Sequence, residues 1–152
     1  VAATRDGIAR GDYYQVNHTV RLAAREPVDP LALWARLRAA QLGAGEGLTG
    51  YGAYLDAGDW QLACASPELF VAREGDTLLT RPMKGTTARG RWSADDEARR
   101  DALRASEKER AENVMIVDLL RNDLARVAEP GSVRVPALFD VERYPTVWQM
   151  TS

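Results

Sequence analysis

The chain has one cysteine, one histidine and only two lysines. Each shortage excludes something. A lone Cys64 cannot close an internal disulfide, so the fold needs no oxidising compartment and the cytoplasm is the default expectation. A lone His18 excludes a histidine-cluster metal site and argues against zinc. No apolar run approaches the roughly 18 residues of a membrane span. No basic start followed by an apolar stretch and a small-residue cleavage site marks a signal peptide. An excess of either charge is missing too: twenty basic residues against twenty-two acidic ones leave a net charge of −2. With a pI near 5.5, the chain carries no electrostatic footprint for nucleic acid or an anionic membrane. Internal repeats and low-complexity tracts are absent.

What is present is a chain of 152 residues, 45% hydrophobic and 28% charged, which suits one globular domain with an apolar core. It opens on Val1, and residues 148–152 read as an apolar strand still in progress, without a cap or a Gly/Pro stop. The expectation is therefore an internal piece of a longer chain. Eighteen of the twenty basic residues are arginine; only Lys84 and Lys108 are lysine. A guanidinium stays protonated and cannot act as a nucleophile, whereas a lysine amine can in surroundings that favour its neutral form. Lys84 lies in Thr80-Arg81-Pro82-Met83-Lys84-Gly85-Thr86-Thr87-Ala88-Arg89-Gly90. A proline, two glycines and three hydroxyls read as turn chemistry, not core packing. Lys84 is thus either a surface loop lysine or a nucleophile.

Periodicity sets out the rest. Residues 12–22 alternate Tyr14, Val16, His18, Val20 and Leu22 with Gln15, Asn17, Thr19 and Arg21, which predicts a strand with one polar face; part of the segment also fits a helix end. Asp29-Pro30 starts a helix over 31–43, with Leu33, Trp34, Leu37 and Gln41 inward and Gly43 as its stop. The glycine-rich stretch 43–47 reads as a turn. A phosphate loop would run from a strand into a helix, and this one follows a helix. Two hairpins follow, 48–55 with 60–65 and 69–73 with 77–81, so the sheet is antiparallel. Residues 95–127 predict one long helix capped by Ser93, with a solvated first half and a second half, 114–120, apolar nearly all round and hence buried. Strands are expected over 132–139 and 147–150.

Two acids stand out. Glu112 shares the inward stripe of Met115, Ile116 and Leu119, where a carboxylate is costly unless paired or bound to a cation; Lys108 is its only basic neighbour at helical spacing. Asp118, Arg121, Asp123 and Arg126 read as a self-satisfied network. Glu68 follows Ser66-Pro67, a step that breaks regular pairing. It is either an exposed connector or a carboxylate at a strand end over the sheet. Sites with few carboxylates suit magnesium, which keeps waters and borrows substrate oxygens.

Four blocks in order, Gly11-Asp12-Tyr13-Tyr14-Gln15-Val16-Asn17, Ser66-Pro67-Glu68-Leu69-Phe70, Arg81-Pro82-Met83-Lys84-Gly85-Thr86 and 111–123 with its Glu112-Asn113 and Asp118-Leu119-Leu120-Arg121-Asn122-Asp123, closely resemble the chorismate-utilising enzymes. These include the component I subunits of anthranilate and aminodeoxychorismate synthases and the isochorismate and salicylate synthases. The resemblance implies an α/β fold of the α+β type, with antiparallel sheets and flanking helices. Residues 1–152 would form the central part of the chorismate-binding domain, without the amino-terminal region and the last catalytic segment that holds a second magnesium-binding Glu. Lysine at position 84, where anthranilate synthases have Ala, implies the aminodeoxychorismate branch. There Lys84 would attack C2 of chorismate, and ammonia from a glutamine amidotransferase subunit or fused domain would enter at C4, toward 4-aminobenzoate and folate. Gln15 stands where water-using relatives have a lysine base, which also implies an ammonia user. By the same resemblance Glu112 would bind Mg2+, Glu68 would be an acid or base near the C4 hydroxyl, and Gly85 and Thr86 would touch substrate. Gln149 replaces a substrate-contacting His found in many relatives. The implied alternatives are an anthranilate synthase, or a catalytically silent piece that only binds.

Overall fold

The computed structural model describes residues 1–25, 27–42 and 50–152. Two helices come first: α1 (Ala2–Arg10) and α2 (Pro30–Leu42). The hairpin β1 (Ala53–Asp56) and β2 (Gln61–Cys64) follows, then the hairpin β3 (Leu69–Glu74) and β4 (Thr77–Arg81). Next come β5 (Met83–Ala88), α3 (Ser93–Ala105), α4 (Glu107–Ala125), β6 (Asp140–Arg143) and β7 (Val147–Thr151). The last three strands form one sheet in the order β5-β7-β6, and every pairing is antiparallel. The expected mixed fold of antiparallel sheets with flanking helices is thus what the chain adopts. No helix among the described residues is long and apolar enough to cross a membrane.

The local starts follow from sequence. The Asp29 carboxylate accepts from the Leu31 and Ala32 amides at 3.0 and 3.1 Å, satisfying donors the first turn of α2 leaves open. The inward face of α2 differs from the expected stripe. Leu33 and Leu37 are exposed, while Trp34, Arg38 and Gln41 are half-buried. Trp34 leans on Tyr54 at 6.1 Å between ring centroids. Arg38 donates to the Gly50 carbonyl at 2.9 Å, and Gln41 donates to that of Ala65. The long polar side chains reach the neighbouring hairpin, and their aliphatic stems take the buried positions. The stretch 43–47 and residues 48–49 of the first expected strand lie outside the described residues.

Five expectations are corrected. Residues 12–22 form no strand; Tyr14, Val20 and Leu22 are exposed. Alternation shows which face a strand would bury, but a strand also needs a pairing partner, and this segment has none among the described residues. The single helix over 95–127 is two helices. Ser106 breaks it with an extended backbone, φ −66 and ψ 112, and its hydroxyl accepts from the Glu109 amide at 3.4 Å. A serine three residues before a glutamate is a start signal inside a helical pattern. In the second of these helices only Asn113 and Val117 are buried, while Val114 and Leu119 are exposed. Residues 132–139 form no strand either. Pairing begins at Asp140, after Phe139 turns the chain with φ 63. Finally, residues 83–88 form a strand of the three-stranded sheet, paired with β7, and not a turn.

The core lies where α3 covers this sheet: Leu103, Trp148 and Met150 are buried together, with Phe139 and Val141 against them. One carboxylate ties the layers. Asp96, in the first turn of α3, accepts from Arg89 Nε at 2.8 Å, from the Gly90 amide at 2.7 Å and from Trp148 Nε1 at 2.9 Å. A second Arg89 nitrogen completes a bidentate pair with the same carboxylate. Arg89 also donates to the Tyr144 carbonyl at 3.0 Å and lies 4.8 Å from the Trp148 ring centroid. Gly90 is required here, because a β-carbon on it would collide with the Asp96 backbone. The hydrogen bonds from Arg89 chiefly, then those from Gly90 and Trp148, hold the Asp96 carboxyl well below the usual carboxylate range against an opposing effect of burial.

A depressed folded-state pKa stabilises the protein above the unfolded value, about 4 for Asp, and that contribution is lost as pH falls through the folded value. Asp96→Asn should lower the urea midpoint at pH 7, and the gap to the unsubstituted chain should narrow as pH drops below about 4. Parallel pH curves for the two proteins would contradict this. Ser106→Ala should cost about 1 kcal/mol through loss of the helix cap, measured in the same way.

Candidate active site

The strand that carries Lys84 is irregular at that residue. Met83 pairs with Thr151 and Thr86 pairs with Gln149. Two residues, Lys84 and Gly85, therefore stand opposite one, Met150. This is a β-bulge, a device that re-aims side chains and leaves backbone groups without ladder partners. Gly85 makes it possible with φ 95. The glycine also faces the helices closely: a β-carbon there would lie 3.1 Å from Glu109 Cβ, 3.2 Å from Glu109 Oε2 and 3.3 Å from Leu103 Cδ1. The chain needs a residue without a side chain for both reasons.

The backbone groups around the bulge find side-chain partners. The Met83 amide donates to Glu68 Oε1 at 3.0 Å. Glu68 is brought there by the connector between β2 and β3, where Ser66 Oγ accepts from the Glu68 amide at 3.2 Å. On the other side, Gln149 Nε2 donates to the Gly85 carbonyl at 2.9 Å, and the Thr86 hydroxyl donates to Gln149 Oε1 at 2.6 Å. Five of the seven residues singled out from sequence therefore meet at one place: Glu68, Lys84, Gly85, Thr86 and Gln149. Lys84 itself is half-buried. Among the described residues it enters no ion pair.

The other two lie apart from that cluster. Gln15 sits in the irregular, largely exposed segment after α1, and no side-chain hydrogen bond ties it to the bulge among the described residues. Glu112 is on α4, one turn beyond Glu109. Lys108 Nζ lies between the two acids, 3.1 Å from Glu109 Oε1 and 3.4 Å from Glu112 Oε1. Glu109 chiefly, and then Glu112, raise the Lys108 pKa. Among the described residues no group of three or more His, Cys, Asp or Glu gathers at one point. The pair Glu109 and Glu112, with an ammonium already between them, fits a cation that takes one or two carboxylates and completes its shell with water and substrate oxygens.

Three residues of this region were not singled out from sequence. Asn113, next to Glu112, is fully buried, and its Oδ1 accepts from the Ser152 hydroxyl at 2.6 Å. Its position on the inward stripe was the available signal. Tyr144 covers Met83, its hydroxyl 4.0 Å from the sulfur. Burial first, and Glu142 next, push the Tyr144 phenol up to about 12, so it remains protonated. Glu142 accepts from Thr151 Oγ1 at 2.7 Å and pairs with Arg81. No local pattern announced these last two, because they act across a sheet whose register is a tertiary property.

Known proteins resemble this chain over its whole length. The whole chain, residues 1–152, matches the family described as chorismate binding enzyme. It is 43% identical over 145 residues to aminodeoxychorismate synthase component 1 of Bacillus subtilis, covering 95% of this chain and 30% of that protein. It is 42% identical over 161 residues to anthranilate synthase component 1 of Streptomyces coelicolor, covering 100% of this chain and 29% of the relative. The chain thus spans about a third or less of the length of these relatives. Among solved structures it resembles one described as a 2,3-dihydroxybenzoate-specific isochorismate synthase of Bacillus anthracis, with a TM-score of 0.65 at 23% identity, over 82% of this chain and 32% of that one. That likeness shows a shared fold.

Gly85→Ala should destabilise by about 1–2 kcal/mol from the backbone conformation alone, and by more if Glu109 cannot shift. A thermal or urea midpoint equal to that of the unsubstituted protein would show that the bulge relaxes freely.

Proposed function

The chain belongs to the chorismate binding enzyme family, and from that premise we propose that it is the central part of an aminodeoxychorismate synthase component I. The activity is amination of chorismate at C4 to 4-amino-4-deoxychorismate, toward 4-aminobenzoate and folate. Overall identity does not separate the branches, since the aminodeoxychorismate and anthranilate synthase relatives stand at 43% and 42%. The observation that carries the reading is Lys84 in a bulge whose neighbouring amide is held by Glu68. An amine is placed where regular pairing is interrupted, with a carboxylate fastened one residue away.

The roles follow from the chemistry. The Lys84 nitrogen forms a bond to C2 of the ring, the double bonds shift, and the C4–oxygen bond breaks. Glu68 delivers a proton to the departing hydroxyl, which leaves as water. Its Oε1 is engaged by the Met83 amide, and Oε2 makes no hydrogen bond among the described residues. Ammonia then bonds to C4, the double bonds shift back, and the lysine nitrogen leaves C2. The ammonia would come from a glutamine amidotransferase, as a separate subunit or a fused domain. Glu112, with Glu109 beside it, would hold a magnesium ion that supplies positive charge for the substrate carboxylate. Gly85 and Thr86 would line the substrate side of the bulge.

Two substitutions in the intact enzyme test this. Lys84→Ala and Lys84→Arg should both bring ammonia-dependent formation of aminodeoxychorismate to background, and mass spectrometry should find the ring attached at Lys84 in the parent protein. Retention of activity by Lys84→Arg would mean that only the charge matters and would remove the nucleophile. The similarity to anthranilate synthases supplies the competing reading, which product identity decides: fluorescent anthranilate with release of pyruvate would overturn the assignment. Glu68→Gln should slow turnover by about 10²–10⁴-fold.

A further inference from the structure

Gln149 has an arrangement whose polarity can be deduced. A carbonyl oxygen only accepts, so the Gln149 atom 2.9 Å from the Gly85 carbonyl is the amide nitrogen. The atom 2.6 Å from the Thr86 hydroxyl is then the amide oxygen, and the hydroxyl proton must point to it. Each step forces the next. Thr86 is left with lone pairs only, and so meets any ligand as an acceptor. Gln149 sits on β7, the middle strand of its sheet, with paired backbone on both sides. Its side chain therefore rises from a rigid base, and Thr86 and Glu142 stand directly across from it in register.

The bulge would otherwise be loosely determined. Two residues facing one leave backbone groups unmatched, and an unmatched group in a half-buried place favours any rearrangement that satisfies it. Glu68 takes the amide before Lys84 and Gln149 takes the carbonyl after it. Lys84 lies between these two attachments.

We propose that Gln149 is a positioning residue for Lys84, which it serves by fastening the Gly85 carbonyl. The proposal rests on the reading of Lys84 as the nucleophile. Gln149 acts through its neighbours, so its loss changes how well the amine is aimed and leaves chorismate affinity almost intact. A neutral imidazole also offers one donor and one acceptor, so histidine can make both bonds when uncharged.

The test uses the full-length enzyme. Gln149→Leu should lower kcat by about 100-fold, the loss expected when a reacting group is misplaced by about 1 Å, with KM for chorismate changed by less than about threefold. Gln149→His, assayed at pH 8 where imidazole is neutral, should restore most of the loss. A second measurement reads geometry directly. An amine-selective reagent modifies Lys84 and Lys108, and peptide mass spectrometry gives their ratio, with Lys108 as the internal control. Gln149→Leu should shift that ratio, and Gln149→His should return it. If Gln149→Leu does not fold, Gln149→Glu serves instead. It keeps the shape and the acceptor for Thr86 but sets oxygen against the Gly85 oxygen, and should give the same loss. An unchanged kcat with an unchanged labelling ratio overturns the proposal while leaving an inactive Lys84→Ala to support the reading beneath it. An active Lys84→Ala defeats that reading first.

Discussion

The Asp96 carboxylate is the interaction on which the sheet and its helices depend. It sits in the first turn of α3, where backbone amides and the helix dipole already favour negative charge. From there it takes hydrogen bonds from the end of β5 through Arg89 and Gly90, and from the middle strand through Trp148. Arg89 extends the connection to the Tyr144 carbonyl at the turn between β6 and β7. Three separate elements are thus held by one pair of oxygens. Each partner is a fixed donor, so the arrangement tolerates little rotation of the helix over the sheet. Arginine suits the position because its planar fork matches the carboxylate and stacks on the indole.

Register is the property transmitted from this point to the bulge. With Ala88 opposite Val147 and Thr87 opposite Trp148, regular pairing would place Gly85 opposite Met150 and Lys84 opposite Thr151. The chain instead resumes with Met83 opposite Thr151. The extra residue is absorbed between two pairings that other contacts hold: Trp148 by Asp96 on one side, and Thr151 by Glu142 on the other. The irregularity at Lys84 is thus confined to two residues. Glu68 then takes the Met83 amide just before the irregularity, and Gln149 takes the Gly85 carbonyl within it.

Local signals were legible in the sequence, and pairing was not. Asp29 and Pro30 announced α2, and the turn residues 56–59 and 74–76 announced both hairpins, because those starts and turns are decided within a few residues. The strand expected over 12–22 failed for the opposite reason: alternation names a face but supplies no partner. The run 80–90 misled differently. Pro82, Gly85 and Gly90 look like turn residues, yet Pro82 and Met83 are buried; the two glycines serve a bulge and a close approach to Asp96. The break at Ser106 could have been read, since Ser106 and Glu109 have the spacing of a helix start. Within the site, the sequence supplied the residue types. It could not show that Glu68 and Gln149 meet on either side of Lys84, a fact that depends on the register of three strands.

The imbalance between arginine and lysine takes on meaning in this setting. Arginines make the pairs that join separate elements: Arg89 with Asp96 and Arg81 with Glu142. Such pairs need a charge that never leaves and a fork that holds direction. Both lysines lie where the proposed chemistry lies. Lys84 stands in the bulge, and Lys108 stands between Glu109 and Glu112. An amine is a compact charge on a flexible stem. A chain that uses arginine for architecture keeps its two lysines in the region of the proposed site. The bulge then supplies what a flexible stem lacks, a backbone origin fixed from both sides.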